Sequence, residues 1–164
     1  MKNLLKISFV IICLIMTGNI NAQNHYAMKA PPEPILGVWV AENGNMSYEV
    51  EFIKETIYFE GHNSYLDYIL GKIIYKTNGD IVRKTEYDKL NSIIYGYMES
   101  DLTCDFMFKD SERMVRWRFE FIIDENDPSK AVWKWGLGQG LAGSGWNKEN
   151  KPDIPDNLTF RKVK

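Results

Sequence analysis

The sequence predicts an all-β protein, an antiparallel up-and-down β-barrel of eight to ten strands, with a two-sheet β-sandwich as the alternative. Three observations carry this. Apolar residues alternate with polar ones at period two along much of the chain, turn sequences fall between the alternating runs, and no stretch sustains helical spacing. Alternate residues of a strand share a face, so such runs describe a sheet with one dry and one wet side. Consecutive hairpins of this kind lose their exposed edges when the sheet closes on itself.

The elements follow in order. Met1 to Ala22 reads as a secretion signal: Lys2 and Lys6 make a positive start, Ile7 to Met16 is apolar but too short to span a bilayer, and Ala22 offers a small residue before Gln23. The mature protein is therefore expected to be exported, periplasmic or secreted, with no integral membrane segment. Residues 23–34, with Pro31, Pro32 and Pro34, are predicted to form an extended, mobile leader. Residues 35–164 amount to 130 positions, the size of one domain.

Within that domain Leu36-Gly37-Val38-Trp39 opens the first strand, and Glu42-Asn43-Gly44-Asn45 turns the chain. Met46, Tyr48, Val50 and Phe52 then alternate with Ser47, Glu49 and Glu51. Leu70–Lys76 and Ile81–Thr85 flank Thr77-Asn78-Gly79-Asp80, whose Asn-Gly accepts the positive φ of a tight hairpin. Leu102, Cys104, Phe106 and Phe108 share one face, as do Val115, Trp117, Phe119, Phe121 and Ile123. Trp133, Trp135 and Leu137 make a further inward set, Gly136 to Asn157 a long glycine-rich loop, and Leu158 to Val163 the closing strand.

Charge and cysteine usage exclude several roles. The net charge is −2, and without the signal 18 basic residues face 22 acidic ones, interspersed. That is no footprint for nucleic acid, which needs a clustered basic face. Cys13 leaves with the signal, so Cys104 has no disulfide partner and stability must come from the core.

Catalytic and metal chemistry finds little footing. Gly138-Gln139-Gly140-Leu141-Ala142-Gly143 matches G-x-G-x-x-G, but a dinucleotide site needs a helix after the glycines, and Pro152 and Pro155 follow instead. No cofactor is expected. A nucleophile needs a base beside it, and beyond the signal only His25 and His62 are present. Cys104 falls on an apolar face as a small hydrophobe. Glu49 and Glu51, roughly 7 Å apart on one strand face, read as solvated surface. Asp124-Glu125-Asn126-Asp127 starts like a calcium loop, but Pro128 interrupts it and a surface turn is the better reading. No catalytic residue and no metal ligand is assigned, and an enzyme is the least favoured class.

The opening Leu36-Gly37-Val38-Trp39 resembles the Gly-x-Trp start of lipocalins and their bacterial lipocalin-like relatives. The whole of 35–164 looks like a small calycin-type family of uncharacterised secreted bacterial proteins. The resemblance implies that Trp39 closes one end of the barrel and that a basic residue of the last strand, here Arg161, packs across its ring.

The remaining signal is aromatic load. Tyr48, Phe52, Phe106, Phe108, Trp117, Phe119, Trp133 and Trp135 are predicted to point inward, and Trp146 sits in the glycine-rich loop, either on a lid at the barrel mouth or tucked onto the barrel rim. Such walls suit an apolar or aromatic small molecule. They equally suit a barrel filled by its own rings, in which case the protein is an interaction or inhibitor module acting through its outer surface.

Overall fold

The computed structural model describes residues 24–26, 28–87, 94–110, 115–140 and 154–163. The signal segment 1–22, the lid residues 141–153 and Trp146 lie outside the described residues. Ten strands follow in chain order: β1 (Asn24–Tyr26), β2 (Gly37–Asn43), β3 (Met46–Phe59), β4 (Ser64–Thr77), β5 (Asp80–Lys84), β6 (Ile94–Met98), β7 (Thr103–Asp110), β8 (Val115–Ile123), β9 (Lys130–Gly140) and β10 (Leu158–Lys162). One turn of 3₁₀ helix, Glu60–His62, joins β3 to β4.

Eight of these strands close an antiparallel barrel, in the circular order β2, β3, β4, β6, β7, β8, β9, β10. Ladders between β4 and β6 (Ile69 opposite Gly96) and between β10 and β2 (Lys162 opposite Trp39) complete the ring. The turn chemistry is as the sequence predicts. Gly44 holds φ +63°, and Asn78 and Gly79 hold +51° and +89°, which makes the second hairpin a type I′ turn.

The 14-residue β4 organises one side. One edge pairs with β3 throughout. The other serves three partners in turn: β1, in parallel, at Ser64–Leu66; β6 at Ile69–Gly71; and β5 at Ile74–Thr77. Thr85 fills the space between the last two, its N–H donating to the Ile73 carbonyl and its Oγ1 accepting from the Ile73 N–H, both at 2.9 Å.

The core is a column of rings. Phe52, Phe106, Phe119 and Trp133 stack in sequence across the barrel, with centroids 4.7, 5.0 and 3.7 Å apart and planes within 17° of parallel. Phe121 and Phe160 pack edge-on or tilted against them, and Trp39 packs edge-on against Phe121. Two inward glycines make the room. A Cβ on Gly71 would lie 3.1 Å from the Phe52 ring, and one on Gly96 would lie 2.5 Å from the Phe106 ring.

Three sequence expectations need correction. The leader is not an extended, free segment. Asn24–Tyr26 adds a strand to β4, and Pro32 accepts hydrogen bonds from the N–H groups of Ile35 and Leu36 in a turn that buries Ala30, Pro32 and Ile35 at one end of the barrel. The prolines fix the turn and Ile35 anchors it, its exposure being 0%.

The second correction concerns Arg161. It is exposed; Lys162 lies over Trp39 instead, with Nζ 5.3 Å from the ring centroid and 2.8 Å from the Pro34 carbonyl it donates to. The reason is the pleat. Phe160 is fully buried, so the next inward position is 162, not 161. Burial lowers the Lys162 pKa.

The third is the glycine-rich loop. Gly136 to Gly140 belong to β9, paired with β8 as far as Val115 opposite Gly140. The register shifts between Trp117 and Phe119, where β9 carries one extra residue, and glycine is the residue that tolerates such a bulge. The first two glycines of the G-x-G-x-x-G match thus lie in a ladder, not in a phosphate-binding turn.

Candidate binding site

The side chains predicted to line an interior pocket do converge, but on one another. Tyr48, Phe52, Phe106, Phe108, Trp117, Phe119 and Trp133 are each 6% exposed or less, and Trp135 is partly buried against them. Tyr48 meets Tyr75 edge-on at 5.8 Å. Trp135 meets Trp117, Phe119 and Trp133 at 6.1, 5.4 and 5.3 Å, while its indole N–H donates to the Ile154 carbonyl at 2.8 Å. An eight-stranded barrel is just wide enough for side chains such as these to fill it. The indole N–H of Trp133, fully buried at the centre, has no acceptor among the described residues.

The end of the barrel that Trp39 closes is plugged. Its indole N–H donates to the Ile35 carbonyl at 2.7 Å, Phe121 abuts it edge-on at 5.1 Å, and the docked leader lies across it. Beyond this end β3 and β4 project as a paired extension. There Asp67, 8% exposed, accepts from Thr56 Oγ1 at 2.7 Å, contacts His25 Nε2 at 3.1 Å and faces Lys54 Nζ at 3.2 Å. The cluster pins β1 to the extension.

Burial pushes the Asp67 carboxyl up, but the hydrogen bonds from Thr56, His25 and Lys54 and the Lys54 charge more than offset it, so its pKa is lowered. A carboxyl depressed in the folded state adds stability above its unfolded pKa, about 3.9, and that stability is lost as pH falls through the folded value. The protection factors of the Asn24–Tyr26 amides, taken against the intrinsic exchange rate at each pH, are therefore expected to fall on acidification below about pH 4. In Asp67→Asn they should be low at neutral pH and nearly insensitive to acid. Equal acid sensitivity in both proteins would show that Asp67 does not hold β1.

The outer face carries a different feature. A cleft of about 280 Å³ lies over β4, β6, β7 and β8. Tyr68, Tyr95, Tyr97 and Met107 form its walls, and Asp105 with Arg118 its polar end. Inward Ile94, Gly96 and Met98 leave Tyr95 and Tyr97 pointing out, and the same alternation sends Asp105 and Met107 of β7 and Arg118 of β8 to that surface. Asp105 is 7% exposed, because Arg118 grips it with both Nε (2.8 Å, to Oδ1) and Nη2 (to Oδ2). The Tyr97 hydroxyl lies 3.5 Å from Oδ2. The ion pair raises the Arg118 pKa, and burial raises that of Tyr68.

Sequence reasoning missed this cleft. Tyr95-Gly96-Tyr97 was a visible signal, two tyrosines flanking an inward glycine. Its partners on β4, β7 and β8 come together only through long-range register.

The other candidates take the places expected of them. Cys104 is fully buried, donates to the Tyr97 carbonyl at 3.2 Å and has its thiol pKa raised by burial. Glu49 pairs with Lys76 at 2.9 Å and Glu51 with Lys72 on the outside of the sheet. Asp124 and Asp127 close turns onto the N–H groups of Asn126 and Ser129, and Lys130 with Ser129 holds the Asp127 carboxyl down to about 2. No helix among the described residues is long and apolar enough to cross a membrane.

Fold and site together define a small closed β-barrel protein with a buried aromatic cluster, one plugged end and a tyrosine-walled cleft outside. The chain belongs to a family of unknown function (DUF6705), whose profile matches residues 1–109. That span covers the leader and strands β1 to β6 and nearly all of β7. No curated protein and no solved structure matches the chain.

Proposed function

We propose that this protein is a non-catalytic, lipocalin-like binding barrel that acts after export, and that it binds through its outer face, at the cleft between Tyr68, Tyr97 and Arg118. The observation that carries this reading is the ring stack from Phe52 to Trp133, whose members pack on one another inside the barrel, beside a cleft of about 280 Å³ on the outside. The interior then serves as a rigid scaffold, and rigid strands place site residues better than loops do. Export rests on the residues from Lys2 to Ala22 and fits a β1 that begins at Asn24, just past the predicted cleavage site.

Thermal unfolding of the purified protein against a small-molecule library tests the proposal. A ligand at a hundred times its Kd stabilises by about 2.7 kcal/mol. Stabilising compounds are expected to move the amide resonances of Tyr97, Met107 and Arg118. Tyr97→Ala, at a 42% exposed position, should alter stability by less than about 0.5 kcal/mol yet lose the response. Compounds that stabilise without touching these resonances would refute the outer site.

A second reading has one observation in its favour. The unpaired indole N–H of Trp133 would be satisfied by an acceptor on a ligand inside the barrel. Native mass spectrometry distinguishes it: a co-purifying mass, lost on denaturation together with a shift of the Trp133 indole resonance, would place the ligand among the rings.

A further inference from the structure

We infer that the outer cleft takes a flat aromatic ring bearing a carboxylate, the ring lying against the tyrosines and the carboxylate on the open edge of Arg118. The inference rests on the cleft reading above and adds the ligand class.

The argument begins with the guanidinium, which has five N–H donors in a fixed plane. Two of them, from Nε and Nη2, are taken by the buried carboxylate of Asp105. Three remain, on Nη1 and the far side of Nη2, along the end-on edge of the fork. The exposures of the two partners say where that edge faces. The Asp105 side chain is 8% exposed and that of Arg118 58%, so the locked edge is turned to the barrel and the other to solvent at the cleft.

An arginine held in this way has already lost most of its rotamer freedom, so a ligand that engages it gives up less entropy on binding. Two parallel N–H donors along one edge match the two oxygens of a carboxylate. A neutral acceptor would use only one of them. Glu120, outward on the same strand, also acts on Arg118 and stands opposite Lys134 of β9.

The walls specify the rest of the ligand. Tyr68 and Tyr95 present rings 6.3 Å apart at 77°, Tyr97 is 42% exposed and Met107 contributes a polarisable thioether. Such surfaces favour a planar, polarisable body over a flexible alkyl chain. The cleft, about 280 Å³ and open to solvent, has room for a fused ring pair. Apolar walls with a single cationic fork at one end describe an amphiphilic ring acid better than a sugar, whose many hydroxyls would face tyrosine and methionine without partners.

Titration of the purified protein with 2-naphthoate, and separately with the neutral 2-naphthalenemethanol, tests this. Calorimetry and the amide resonances of Tyr97, Met107 and Arg118 provide the readouts. The acid should bind at least roughly tenfold more tightly than the alcohol, the worth of one charge-assisted pair. Arg118→Gln should remove that advantage. Arg118→Lys keeps a cation beside Asp105, guards against loss of fold, and should fall between the two. Equal binding of acid and alcohol, or an unchanged acid affinity in Arg118→Gln, would overturn the carboxylate inference and leave the cleft reading standing. Absence of any response at the cleft to either compound would remove both.

Discussion

Trp39→Ala is expected to lower the unfolding free energy by about 3–5 kcal/mol, as for deletion of a fully buried large ring. Trp39 is 0% exposed and is held from three sides: by Phe121 at 5.1 Å, by Lys162 above its face, and by the Ile35 carbonyl at its N–H. A domain of this size is stable by about 5–15 kcal/mol, so the change removes a large fraction of the total. The loss has two parts. One is the cavity; the other is release of the leader, whose Ile35 and Pro34 carbonyls bond to Trp39 and to the lysine above it. Guanidinium unfolding measures the whole, and amide exchange at residues 28–36 measures the second part. An unmoved midpoint would show that Trp39 does not close the barrel.

Gly96→Ala should be nearly as damaging, although it adds one methyl group. Gly96 sits where β4 and β6 close the ring, and its new Cβ would lie 2.9 Å from the Phe106 Cα and inside the contact distance of the Asp105 carbonyl oxygen. Both are backbone atoms of the neighbouring strand and cannot turn aside. Relief requires β6 and β7 to part, which weakens closure and displaces Phe106 from the ring stack. Overpacking of this kind costs about 3 kcal/mol or slightly more. Gly61→Ala, with open space around it, serves as the control and should be close to neutral. Equal stability of the two variants would mean that the close approach at Gly96 is relieved at no cost.

Most of the barrel could be read from the chain because the reading rests on local period. A strand with one dry face writes its alternation into consecutive residues, so the inward set of β3, β7 and β8 was identified residue by residue, and the Asn-Gly turn fixed one hairpin. The failures share another cause. Arg161 came from the family resemblance, and a guanidinium suits an indole face. Parity from Phe160 decides the matter, and a step of one residue moves a side chain to the other face.

The leader looked free because prolines and a lack of pattern describe a loop. Its docking depends on a few single contacts, Ile35 under Trp39 and His25 on Asp67, that leave no periodic trace. The outer cleft was the least legible. Its residues come from four strands with up to 50 positions between Tyr68 and Arg118, and only the register of three ladders sets them side by side. On each strand alone they look like ordinary wet-face residues.

The shared edge of β4 divides two tasks between its partners. β5 and β6 are fastened to it separately, one by Ile74–Thr77 and the other by Ile69–Gly71. Only the β6 ladder completes the ring, so the register of Ile69 with Gly96 sets the stagger and the girth of the barrel, whereas the β5 ladder can loosen without opening it.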